Sequence, residues 1–207
     1  MQCRRHSTEQ LLRDAVMLDG TRTITNGTAM KAEEIISFWF RETEEELWWA
    51  KNEAFDRKIR ERFGSVHGAA CRCETAPWRA EPLGRLAEII VLDQFSRNMF
   101  RGTPRAFEQD PLALSLAQEA LSAGAADSLK GDRLAFLCMP FMHSESARIQ
   151  AESVQLFSKL RLEGYLPYAL EHKEIVDRFG RFPHRNKALG RVSSSAEADF
   201  ISKKADF

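Results

Sequence analysis

The sequence has no charge imbalance, since 30 Lys plus Arg stand against 30 Asp plus Glu in 207 residues. No overall field draws such a chain to nucleic acid or to an anionic membrane, so neither is expected as a partner. No stretch approaches the roughly 18 apolar residues of a membrane span. Near the N-terminus Arg4 and Arg5 lead into LLRDAVMLDG, whose charges deny it the apolar run of a signal peptide. A cytoplasmic location is the resulting expectation. Cysteine is sparse as well: Cys3, Cys71, Cys73 and Cys138 are too few and too scattered for a disulfide framework. Cys71-Arg-Cys73 has no second pair at zinc-site spacing, so reduced thiols and no metal are expected. GxGxxG, Walker A, HExxH and GxSxG are all missing, which removes the commonest nucleotide-binding, zincin and α/β-hydrolase readings. No cofactor is expected. Strand signals are nearly absent too, with no alternating β-branched run and no Asn-Gly hairpin between strands.

What is present is helical. The chain is 43% hydrophobic, enough for one good-sized core. Fourteen Phe and four Trp against two Tyr make that core heavily aromatic. Arginine outnumbers lysine 21 to 9, which suits gripping carboxylate or phosphate with a fixed fork, or reflects a GC-rich genome.

Residues 1–29 end in the polar run DGTRTITNGT. With Met17 and Met30 as alternative starts, they read as an over-called beginning or a loose arm carrying a short helix from Glu9 to Leu18. Residues 30–207 read as a single all-α domain. Ile35 to Phe40 make a short apolar helix. Thr43 caps a longer one running to Gly64, with Glu46 completing a capping box. Val66 to Cys73 reads as a further turn. Asp110-Pro111 opens another helix, closed at Gly124. The run 134–142 is buried but should kink or stop at Pro140. Ser144 opens the next helix, Tyr165 to Phe179 forms one ended by Gly180, and Ser195 opens the last. About eight helices joined by short loops argue antiparallel helical hairpins.

The stretch GRLAEIIVLDQFSRNMF, 84–100, is apolar nearly all round and therefore belongs in the middle of the domain. Polar groups carried into such a place need partners. Asp93 and Arg97 sit one turn apart in it, as do Gln94 and Asn98. Either they form an internal network that fixes helix packing, or they line a polar pocket. Trp48 and Trp49 are adjacent and cannot both face inward, so one should reach a surface or groove.

Three blocks stand out together: PLGRLAEIIVLDQFSRNMFRGTPRAFEQDPLA at 82–113, FLCMPFMHSES at 136–146 and YALEHKEIVDRFGRFPHRNKALGR at 168–191. With the FWF and WW clusters they closely resemble the DUF924 family, bacterial proteins of unknown function, over about residues 32–202. The resemblance implies a tetratricopeptide-like superhelical bundle. It also marks motif positions: Arg85, Asp93, Gln94, Arg97, Asn98 and Arg101 in the first block, and His143, Glu145 and Gln150 in or just beyond the second. The third contributes His172, Arg178, Arg181, His184, Arg185 and Asn186. Two departures are Leu83, where arginine is usual, and Ala151-Glu152 in place of Glu-Arg.

Each position has a plain reading beside the chemical one. Ser144 fits a helix cap better than a nucleophile. His143 and Glu145 fit an acid–base pair, a ligand pair or neither. His172 shares an apolar helix face, where a histidine is usually a satisfied core residue. The RFPHRN loop either binds a carboxylate or phosphate or folds its arginines back onto helix ends. The three blocks should nevertheless converge on one cleft. Arg97, Arg101, Arg181 and Arg185 would outweigh Asp93 and Glu145 there, leaving a positive surplus for an anion. Two functions follow as alternatives: a scaffold module binding a protein or peptide in a helical groove, or an enzyme or sensor acting on a small anionic molecule.

Overall fold

The computed structural model describes residues 30–203, so the arm at 1–29 lies outside it. Among the described residues there is no strand. Eleven α-helical segments follow one another: α1 Ala32–Ser37, α2 Glu46–Trp49, α3 Glu53–Cys71, α4 Pro82–Ile90, α5 Ser96–Met99 and α6 Asp110–Ser122. After them come α7 Ala125–Ser128, α8 Asp132–Met142, α9 Ala147–Lys159, α10 Leu166–Phe179 and α11 Ser195–Lys203. Consecutive long helices pack as hairpins, α8 on α9 and α9 on α10, while α4 lies against α1, α6 and α8.

The central helix is where its composition puts it. Leu86, Ile90, Val91, Leu92 and Phe95 are fully buried, and α4 and α5 are joined by a π-helical turn, Val91–Phe95. Glu88, also buried in α4, takes Arg79 Nε and Nη2 at 2.6 and 2.8 Å and the Thr75 hydroxyl at 2.6 Å. That cluster ties the 72–80 segment to the core. Gly84 is required by the same junction, because a Cβ there would run into the Trp78 carbonyl.

Four local expectations need correction. The helix assigned to Thr43–Gly64 is two helices: Ala50 is extended (ψ 146°) and Asn52 caps α3 by accepting from the Phe55 amide at 2.9 Å. The break lets Trp48 fold back, donating from Nε1 to the Trp39 carbonyl at 3.0 Å, while Trp49 is 59% exposed. Thr43 instead donates to the Phe38 carbonyl, closing a second π-helical turn at Phe38–Glu42. Val66 to Cys71 is the end of α3, not a separate turn. Pro140 does not stop α8, which continues to Met142. Burial of Leu134 to Met142 on every side offsets the one backbone bond that proline removes. Finally, α9 is capped by Ser146, not Ser144; the Ser146 hydroxyl accepts from the Ile149 amide.

Candidate functional site

Asp93 sits inside the π-helical turn, 1% exposed. Such a turn widens the helix by one residue and re-aims side chains, at a cost in hydrogen-bond geometry, and it recurs at functional sites. The Asp93 carboxylate accepts from His143 Nδ1 at 2.8 Å, from Gln94 Nε2 at 2.5 Å and from Arg97 Nη1 at 3.1 Å. Arg97 also donates to the Asp93 carbonyl at 2.8 Å and grips Asp110 with both Nη groups, at 2.9 and 3.1 Å.

Asp110 is the first residue of α6, where the helix dipole favours a carboxylate. It also accepts from Arg185 Nη1 at 2.9 Å, and Arg185 Nη2 donates to the His143 carbonyl at 2.9 Å. Arg185 is buried, its guanidinium lying 4.6 Å from the ring centres of both Phe107 and Phe182. The polar blocks of the central helix, the 143–145 segment and the RFPHRN loop are thus joined in one hydrogen-bonded network. Asp110 is the member sequence reasoning missed, having read it as a helix start. The signal was available: two arginines held in apolar surroundings require an acid nearby.

The other candidate residues distribute around this centre. His172 donates from Nδ1 to the Tyr168 carbonyl at 2.8 Å, its ring 6.3 Å from that of His143 and 5.4 Å from that of Phe182. His184 packs on Phe182 from 5.5 Å. Glu145 binds Arg191 at 2.7 and 2.8 Å and accepts from the Phe182 amide at 2.8 Å, which anchors the loop. Gln150 holds the carbonyls of Met142 and Ser144, each at 2.7 Å, and the Ser144 hydroxyl accepts from the Ser146 amide. Asn186 donates to the Ser193 hydroxyl at 3.1 Å.

Five candidates point elsewhere. Arg101 and Asn98 both serve Asp56, Arg101 at 2.6 and 2.8 Å and Asn98 at 2.8 Å. Arg181 is taken by Glu197 at 2.7 and 2.9 Å, Arg85 by Glu119, and Arg178 lies over Phe179. The expected positive surplus therefore does not form. With Arg101 and Arg181 engaged elsewhere and Asp110 present, Arg97 and Arg185 face Asp93 and Asp110 in balance.

The network borders a cleft of about 530 Å³ lined by His143, Ser144, Glu145, Asp110 and Arg185, with Phe107, Pro111, Leu114 and Leu189 as apolar wall and Arg105 and Glu108 beside them. Within His143 the roles of the two nitrogens are fixed by partners. Nδ1 carries the proton that Asp93 accepts, so Nε2 holds the lone pair. Nε2 makes no hydrogen bond among the described residues, and 15% of the side chain stays open.

Burial, and then the Arg97 charge, hold His143 below the usual imidazole range, against the opposing pull of Asp93. Burial works to raise the Asp93 carboxyl, but Arg97 and His143 together hold it well below the usual carboxylate range. Burial brings His172 down to about 4 and His184 to about 3, with His143 and Arg185 respectively adding to it. Near neutral pH the site therefore contains ionised carboxylates, charged arginines and uncharged imidazoles. Among the described residues no group of three or more His, Cys, Asp or Glu is placed to hold a metal ion.

These features define an all-helical protein with a charge-matched acid–histidine–arginine network opening on a cleft. The chain belongs to the DUF924 family, described as bacterial protein of unknown function, whose model matches residues 35–205. It is similar to the solved structure of the protein of unknown function ATU0120 from Agrobacterium tumefaciens, with 38% identity and a TM-score of 0.78. The match covers 83% of this chain and 97% of that one. No curated protein matches.

Proposed function

We propose that the protein is an enzyme acting on a small molecule held in the 530 Å³ cleft, with His143 as its proton acceptor. The observation that carries this reading is the Asp93–His143 pair. A buried carboxylate fixes the imidazole in one tautomer and leaves the basic nitrogen unbonded beside a cavity of ligand size. Asp93 orients; His143 takes the proton; Arg185 holds the His143 carbonyl and thereby the backbone beneath the ring. The π-helical turn supports the same reading, because it holds the ionised Asp93 in the core.

The test is consumption. Wild type and His143→Gln, each shown folded by its melting curve, are incubated with a bacterial metabolite extract, and the small molecules are followed by mass spectrometry. A compound consumed by wild type and spared by the variant supports the proposal. Identical profiles overturn it.

One observation favours the alternative of a scaffold module built as a tetratricopeptide-like superhelix. A second cleft of about 900 Å³ is lined by Met30, Ile36, Trp78, Leu83 and Leu129. Its apolar side chains suit a helical or extended peptide. That reading gains if His143→Gln is silent while Leu83→Glu blocks capture of a defined partner.

A further inference from the structure

The charges of the first cleft say what kind of molecule it takes. Asp110 is satisfied by Arg97 and Arg185, and Glu145 by Arg191 and the Phe182 amide. Two lining charges remain, Arg105 and Glu108, which flank Phe107 on the turn leading into α6. Arg105 has its guanidinium 3.8 Å from the centre of the Phe100 ring, so it is held in place without an ion pair. Glu108 makes neither a hydrogen bond nor an ion pair among the described residues. The cleft therefore offers one positioned cation and one carboxylate, three residues apart, beside the apolar wall of Phe107, Pro111, Leu114 and Leu189.

Resting on the cleft as the working site, we infer that its ligand is a zwitterion with an apolar body, of the α-amino-acid class. A lone anion would pair with Arg105 but be repelled by Glu108, and a lone amine would meet the reverse. An uncharged ligand would pair with neither group. A molecule carrying carboxylate and ammonium close together, with an aliphatic side chain, answers all three features at once. The balanced charges deeper in the site agree with this, since they leave no surplus for a ligand of one sign to neutralise.

Four probes that share one side chain separate the possibilities: L-leucine, its N-acetyl derivative (an anion), its amide (a cation) and N-acetyl-leucinamide (uncharged). Each is titrated by calorimetry into wild type, Arg105→Gln and Glu108→Gln. Both substitutions are at exposed positions and should leave the melting temperature unchanged. The inference expects leucine to bind best and each variant to weaken it by roughly three- to tenfold. If the N-acetyl acid binds as well as leucine and only Arg105→Gln matters, the ligand is an anion and the inference falls. If none of the four binds, it falls as well. His143-dependent consumption of some other compound would then leave the enzyme reading standing without it.

Discussion

Replacing Arg97 by methionine removes the guanidinium that joins the two acids while keeping most of the side-chain volume. Four contacts go with it: the Asp93 carbonyl at 2.8 Å, the Asp93 carboxylate at 3.1 Å, and both Asp110 oxygens at 2.9 and 3.1 Å. Breaking a buried ion pair by removing one partner costs about 3–5 kcal/mol, because the other charge is stranded. Here neither acid is wholly stranded. Asp93 keeps His143 and Gln94, and Asp110 keeps Arg185. Arg97 is also 20% exposed, which screens part of the interaction. The lower end therefore applies, about 3 kcal/mol.

For a chain of this size that loss lowers the melting temperature by roughly 6–12 °C. Calorimetric melts of R97M, D110N and the double variant measure it. Their coupling energy should exceed about 1 kcal/mol if Arg97 and Asp110 act as a pair. Imidazole NMR provides a second readout. Arg97 depresses His143, so R97M should move the His143 titration upward. A destabilisation under about 1 kcal/mol with an unmoved His143 would refute the network as described.

Acid should unfold the protein in two stages. His172 and His184 titrate in the folded state at about 4 and about 3, below an unfolded value near 6.5, so the unfolded chain binds more protons between. Their contribution is complete above about pH 6.5 and falls away as the pH drops toward 4. Partial exposure limits it to roughly 1–2 kcal/mol each. H172Q should flatten the slope of stability between pH 4 and 6.5, and an unchanged slope would discount the histidine. Asp93 acts in the same direction in a lower window: its lowered carboxyl adds stability above about pH 4 that is lost below it. E88Q should cost about 2–3 kcal/mol by urea titration, since it weakens the hold on Arg79 and Thr75. G84A should cost at least as much, because the colliding Trp78 carbonyl is backbone and cannot swing aside.

Periodicity and punctuation made most of the helices legible. Glycine ended α10 in the left-handed conformation (φ 70°), and the all-round apolar stretch was the buried one. What stayed hidden was decided by packing. Capping rules favoured Thr43, but stacking Trp48 on Trp39 required a break before α3. Proline rules favoured a kink or a stop at 140, and burial carried the helix through without the stop. The site was half legible for a related reason. A sequence shows that Arg97 and Arg185 need partners; it does not show that Asp110, on another helix, supplies them both. Nor does a helical wheel reveal a π-helical turn, although that turn gives Asp93 its direction.

The difference that Asp110 makes concerns chemistry as much as stability. Without it, Arg97 and Arg185 would be two buried cations sharing one carboxylate, and Asp93 would be drawn into neutralising them. With it, Arg97 divides its fork between two acids and Arg185 turns one Nη to the His143 carbonyl. Asp93 is then free to hold His143 Nδ1, and the imidazole is held below its usual range because burial and Arg97 outweigh the pull of Asp93 and the weaker pull of Asp110. A second unneutralised acid beside the ring would favour its protonated form and remove the lone pair from Nε2. The pairing of two arginines with two acids thus leaves the buried charge around the His143 imidazole balanced, with Asp93 as the partner of its Nδ1.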